Sequence, residues 1–199
     1  MSGPPLGPRW ERLPPSLVDV FIDDEYIDDV AALSAAQLPE WLKRLSVPPA
    51  WELGRLPDDG EMPWTRIAVT GPRGGGEWDA AETIGAFGYT GRPLFSDVFH
   101  NADLMLRGLD ATDIAVKVLT VPPIQWTAAV RSSGIAHFGE QSVWVQQSNY
   151  VAGSQQAHEG RLIVHSLFVD TACRDRLTDD VRELTDAVYR GFVAALAER

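Results

Sequence analysis

The sequence predicts an α+β domain: an antiparallel sheet of about six strands packed against amphipathic helices and closed by a long C-terminal helix. Three observations predict it. Leu177, Val181, Leu184, Val188, Phe192 and Ala195 fall on one face of a helix at the end of the chain. Before them, several short apolar or alternating runs are joined by short links bearing glycine, which suits consecutive antiparallel strands. Between two groups of such runs, Val98, Ala102, Met105, Leu106 and Leu109 make an i, i+4, i+7, i+8, i+11 stripe.

A chain of 199 residues with 45% hydrophobic content suits one globular domain with a sizeable core. Residues 1–15 carry Pro4, Pro5, Pro8, Pro14 and Pro15, so this stretch reads as an extended arm, and 16–199 as a single domain. Trp10 either anchors the arm on the domain or serves as a docking residue. Residues 17–45 read as mostly helical, with Val30, Leu33, Leu38, Trp41, Leu42 and Leu45 at near-helical spacing. Pro39 starts a second short helix there, and Pro48-Pro49 stops it.

Ile67 and Val69 share one face of the first strand. The glycine-rich run 71–76 is a turn, and 80–90 returns with Ile84 and Ala86 on one side and Phe87 and Tyr89 on the other. Ser96 is placed to cap the helix over 96–109, with Asp97 at its positive end. Strands over 114–121, 126–132, 143–151 and 162–169 follow. Asp175 or Thr178 can cap the final helix. Both amphipathic helices are expected on one face of the sheet, since antiparallel sheets can leave the other face in water.

Charge narrows the partners. With 28 acidic and 17 basic side chains the net charge is −11, which repels nucleic acid and anionic membranes alike. Cys173 is the single cysteine, so no internal disulfide forms. The first twelve residues lack the apolar stretch of a secretory signal, there is no lipobox cysteine near the start, and no run is long enough to cross a membrane as a helix, so no membrane anchor is expected. The expected location is cytoplasmic.

Motifs with definite chemistry are few. The run 71–76 is followed by Glu77 and Trp78 where a phosphate loop needs lysine and a hydroxyl. Asp23, Asp24, Glu25, Asp28 and Asp29 lack the central glycine and spacing of a calcium loop, and read as the solvated start of a helix or a surface for a basic partner. His100, His137, His158 and His165 show no metal-ligand spacing. Cys173 precedes a helix beside Arg174, a setting that can lower a thiol pKa, but it reads first as an inert thiol. No catalytic residue, metal or cofactor is expected.

The best candidate lies on the strand over 143–151. Trp144, Gln146, Ser148 and Tyr150 share one of its faces, aromatic and hydrogen-bonding together, which suits a binding surface, a half-wet cavity or a plain solvent-facing sheet. His165 alternates with Ile163 and Leu167, either as a hydrogen-bonded strand histidine or as a donor lining a pocket.

The helix over 96–109, the run Trp126-Thr127-Ala128-Ala129-Val130, and the pair Val143-Trp144-Val145-Gln146-Gln147 and Leu162-Ile163-Val164-His165 give an element order that resembles the PsbP-like fold, and within it the actinobacterial LpqN-type domains. The likeness is one of element order over about three quarters of the chain, and it implies a non-enzymatic domain that binds a partner or ligand. A START-type helix-grip fold also ends many antiparallel strands in a long helix. That family places its short helices after the first strand, whereas here a helix lies between the second and third. The reading is therefore a binding domain, first for a protein partner. The alternative is a helix-grip carrier of a small apolar ligand, and the third reading is an enzyme of unrecognised type.

Overall fold

The computed structural model describes residues 14–54, 65–74 and 77–198. Along the chain run α1 (Leu17–Ile22), β1 (Ile27–Ala32), α2 (Glu40–Lys43), β2 (Trp51–Leu53), β3 (Arg66–Gly74) and β4 (Glu77–Gly91). Then come α3 (Phe95–His100), α4 (Leu104–Gly108), β5 (Thr112–Val118), β6 (Thr127–Phe138), β7 (Gln141–Ala152), β8 (Gly160–Asp170) and α5 (Thr178–Ala197). The strands form one eight-stranded antiparallel sheet in the order β2-β3-β4-β8-β7-β6-β5, with β1 also on β4. The 15 residues of β4 explain this branching: Ala80 to Ile84 pair with β3, while Phe87 to Gly91 pair with β1. The expected antiparallel sheet and C-terminal helix are present, with eight strands among the described residues in place of about six.

Both faces of the sheet are covered, which corrects the one-faced expectation. On one face Ile84, Ala86, Ala129, Tyr150 and Ile163 meet Leu42 of α2 and Val188, Phe192 and Leu196 of α5. Leu167 and Val169 extend this layer to Leu184. On the other, Tyr89, Val130, Val151 and Leu162 meet α1 and Val98 of α3, and Val143 and Val145 meet Met105 and Leu106 of α4. The physical reason lies in β7, whose odd positions include Val143, Val145 and Val151. A strand that is apolar on both sides needs cover on both.

Residues 17–45 are not mostly helical. Ser16 and Asp19 form a reciprocal capping box that starts α1. Asp24 Oδ1 then accepts the Tyr26 amide at 2.8 Å, an Asx-type turn that ends the helix and redirects the chain into β1. The acidic run is therefore a turn and an edge strand, not the start of a helix. Pro39 does precede a short helix, α2. The helix expected over 96–109 divides into α3 and α4 at Asn101, the C-cap of α3, whose backbone and side-chain amides both donate to the Asp97 carbonyl, at 3.0 and 2.9 Å. Its first residue is Phe95, so Ser96 is not the cap. Nor do Asp175 or Thr178 cap α5, whose N-cap is Leu177; the Thr178 hydroxyl donates to the Arg174 carbonyl. The proposed arm lies outside the described residues up to 13, and Pro14 rests against Gly108 at the end of α4.

One glycine joins α2 to α5. A Cβ on Gly191 would overlap the Trp41 ring. Glycine-to-alanine changes inside helices normally stabilise by about 1 kcal/mol. Here Gly191→Ala is expected to destabilise by about 1–3 kcal/mol, as overpacking does, in urea unfolding. A gain in stability would show that Trp41 yields freely and that the α2–α5 contact carries little.

Candidate functional site

Alternation along β7 places Trp144, Gln146, Ser148 and Tyr150 on the face beneath α5. Register sets Ser148 opposite His165, Tyr150 opposite Ile163 and Gln146 opposite Leu167. The five residues singled out from sequence thus share one face. They are interior: Gln146, Ser148, Tyr150 and His165 are buried, and Trp144 is half-buried. Gln146 Nε2 donates to Thr185 Oγ1 at 3.1 Å, and the Tyr150 ring packs on Phe192 with centroids 5.2 Å apart. The Arg174 guanidinium lies 4.5 Å from the Trp144 ring centre.

A chain of polar groups crosses this face. Arg66 Nε donates to Glu82 Oε2 at 2.9 Å, and Glu82 Oε1 faces His165 Nε2 at 3.0 Å. Arg66 is held in turn by the Leu45 and Ser46 carbonyls at 2.8 and 3.1 Å. Further along, Arg131 Nε donates to Ser148 Oγ at 3.0 Å. Glu82 is 0% exposed, and burial pushes its carboxyl upward; His165 and Arg66 outweigh that push and hold it below the usual carboxylate range. An ionised carboxylate only accepts, so His165 Nε2 carries the proton between them. Among the described residues, His165 Nδ1 has no hydrogen-bond partner. Burial raises the Tyr150 pKa, against the nearby Arg131 and Ser148.

Glu82, Arg66 and Arg131 were not found by sequence reasoning. The signal for Glu82 was present: it stands two residues before Ile84 in a strand, so it shares that inward face. Chemically the chain resembles a relay, but Glu82, Ser148 and His165 are sealed beneath α5.

Beside α5, a cleft of about 260 Å³ is lined by Gln37, Trp41, Arg161, Ile163, Phe192 and Leu196 and opens to solvent. Among the described residues, no group of three or more His, Cys, Asp or Glu is placed to hold a metal ion. Cys173 is half-buried, beside Arg176. No described helix is long and apolar enough to cross a membrane.

A different surface forms where α1, β1 and α3 meet. Phe21, Ile27, Val98 and Ala102 share one core cluster and so bring these elements together. Outside that cluster Ile22 and Tyr26 are 61% and 55% exposed, and Leu94, Phe95 and Phe99 are exposed too. Phe95 and Phe99 stand one turn apart on α3, ring centres 6.3 Å apart. The Arg92 amide donates to the Tyr26 carbonyl, and its guanidinium lies 3.9 Å from the Trp126 ring centre. Pro93 and Trp126 both flank Gly153, and exposed Ile124 precedes Trp126 by two residues. Among the described residues, six of the ten exposed large hydrophobic side chains thus lie on segments that converge at this end. Asp29, Trp126 and His158 nearby have positive φ of 57°, 59° and 59°, as Asp110 and Asp113 do elsewhere, at 51° and 52°.

No protein-family model matches the chain, and no curated protein matches it. Among solved structures it is similar to LpqN of Mycobacterium tuberculosis, a protein described as involved in cell envelope biogenesis. The TM-score is 0.60 at 17% identity, over 89% of this chain and 95% of that one. At this identity the likeness shows a shared fold, and the LpqN-like order of elements expected from sequence is present.

Proposed function

We propose that the chain is a non-enzymatic binding domain whose ligand is another protein, contacted through the α1–α3 end. The observation that carries this reading is the gathering of Ile22, Tyr26, Leu94, Phe95, Phe99 and Ile124 in solvent at one end of the molecule. Exposed apolar clusters on a folded domain mark contact surfaces, and aromatic residues are enriched among them. The polar groups best suited to chemistry, Glu82, His165 and Ser148, are buried, which supports binding over catalysis. The element order also supports grouping the chain with PsbP-like folds.

The second reading is a carrier of a small apolar ligand, favoured by the cleft between Trp41, Ile163 and Phe192. Its ~260 Å³ falls just below the usual range of small-molecule pockets, which places this reading second.

A photo-crosslinking amino acid at Phe99, compared with one at Glu183 on the exposed side of α5, tests the first reading in the native host. A discrete protein adduct from Phe99 and none from Glu183 is expected. No adduct, or the same adducts from both, would remove this surface as the contact site.

A further inference from the structure

The apolar surface at the α1–α3 end is bordered by carboxylates of a single short run. Asp23, Asp24, Glu25, Asp28 and Asp29 lie between the end of α1 and the middle of β1, and all reach solvent, Asp24 least. Backbone pairing fixes this run beside the aromatic residues, with Ile27 opposite Gly91 and Asp28 opposite Thr90, four and five residues before Phe95 begins α3. Asp97 stands in the first turn of α3. Nearby, the Arg92 guanidinium lies over the Trp126 ring, and His158 Nε2 lies 4.0 Å from the Asp29 carboxylate. The phenol of Tyr26 is held above its ordinary pKa by its hydrogen bond and proximity to Glu25, so it remains a neutral donor at this surface.

Resting on the protein-binding reading, we propose that this surface receives a basic amphipathic protein segment, its apolar side chains seated on Tyr26, Phe95 and Phe99 and its lysines or arginines facing the acidic run. Charge complementarity selects this occupant. A second copy would bring two acidic runs together, in chains that each carry a net charge of −11. Nucleic acids and anionic membranes present the same sign and are repelled. The spacing of Phe95 and Phe99, four residues apart on one helix, gives a ridge against which a partner helix can set side chains one turn apart.

The test uses the full chain and a fluorescent helical peptide of about 18 residues, leucine on one face and lysine on the other. Comparison peptides are the same composition scrambled and a version with glutamate for lysine. Fluorescence anisotropy is expected to show binding of the amphipathic lysine peptide alone. Neutralising the run (D23N, D24N, E25Q, D28N, D29N) is expected to weaken it by at least about tenfold, as is the pair F95S and F99S. A control that removes five exposed carboxylates elsewhere (E52Q, E140Q, D175N, E183Q, E198Q) matches the change in net charge and is expected to alter affinity less than about twofold. All substituted side chains but Asp24 are exposed, and thermal melts check that each variant is folded. Equal weakening by both five-residue variants, or equal binding of the scrambled peptide, would overturn the proposal. The Phe99 crosslink separates it from the reading beneath it. A host adduct that survives neutralisation of the run overturns the basic partner and keeps protein binding, whereas loss of the adduct in that variant alone supports both.

Discussion

Replacing Glu82 with glutamine is expected to lower the unfolding free energy by about 3–5 kcal/mol, the usual cost of removing one partner from a buried ionic group. Glutamine keeps the shape but only one acceptor, and its amide nitrogen must face a donor of Arg66 or His165, so the loss reports the charge together with one lost acceptor. Without it, Arg66, whose side chain is only 10% exposed, keeps the Leu45 and Ser46 carbonyls but no counter-ion. At this chain length each kcal/mol moves the melting temperature by about 2–4 °C, so the shift is easily read. The pH dependence has a definite sign. The carboxyl is held below its ordinary value in the folded state. Its contribution is therefore complete above the unfolded pKa of about 4.3, and is lost as pH falls through the lowered folded value. The difference between the native chain and Glu82→Gln should be constant from neutral pH down to about 5 and shrink in stronger acid. A difference independent of pH would mean that packing, and not the ionised carboxylate, accounts for the loss. Apolar replacement of Arg66, Glu82 and His165 together is expected to recover much of the stability, because the desolvation of all three is then removed.

That network shows where sequence reading reached and where it stopped. Period-two alternation placed Trp144, Gln146, Ser148 and Tyr150 on one face, and the register brings His165 to Ser148. What alternation cannot state is which layer covers a face. Both sides of β7 are apolar enough to be buried, and only the tertiary path of α5 decides that the mixed face lies inside. Glu82 escaped notice although Ile84 and Ala86 fix its phase, because a lone acidic residue between Ala81 and Thr83 reads as solvent-facing while one face of the sheet is expected to lie in water. β1 was misread for a related reason. Its pattern is one buried residue followed by mostly exposed ones, since it lies along β4 with little of its own to bury, and Asp28 and Asp29 give no strand signal. β2, three residues long, carries too few positions to show a period. The α1–α3 surface was half visible. A basic partner for the acidic run could be read from composition, but the convergence of Ile22, Tyr26 and Phe99 depends on backbone pairing between Tyr26 and Arg92.

The strongest periodic signal in the chain yields the other large expected effect. Leu184 of α5 is buried against Leu167 and Val169 of the sheet, with Leu177 in the same cluster. Leu184→Ala removes packed methylene groups and leaves a cavity, and is expected to cost about 2–5 kcal/mol. The upper part of that range applies if the strand side chains cannot move in. They are held in consecutive antiparallel ladders of β4, β8 and β7, which leaves little room for collapse. Glu183, one residue earlier, is turned about 100° around the helix axis. It is exposed, as that rotation requires. Glu183→Ala is expected to change stability by less than about 0.5 kcal/mol. The contrast between neighbours cancels any difference in the helix propensity of the surrounding turn and leaves burial as the variable. Denaturant unfolding of both variants reads it directly, provided the slope with denaturant is unchanged. Equal losses would mean that α5 is rotated from the phase described. A loss near zero at Leu184, with α5 still formed, would mean that this stretch of the helix lies loosely on the sheet. That outcome would favour the carrier of an apolar ligand over the filled binding domain, because a helix that grips a ligand must be able to leave its sheet.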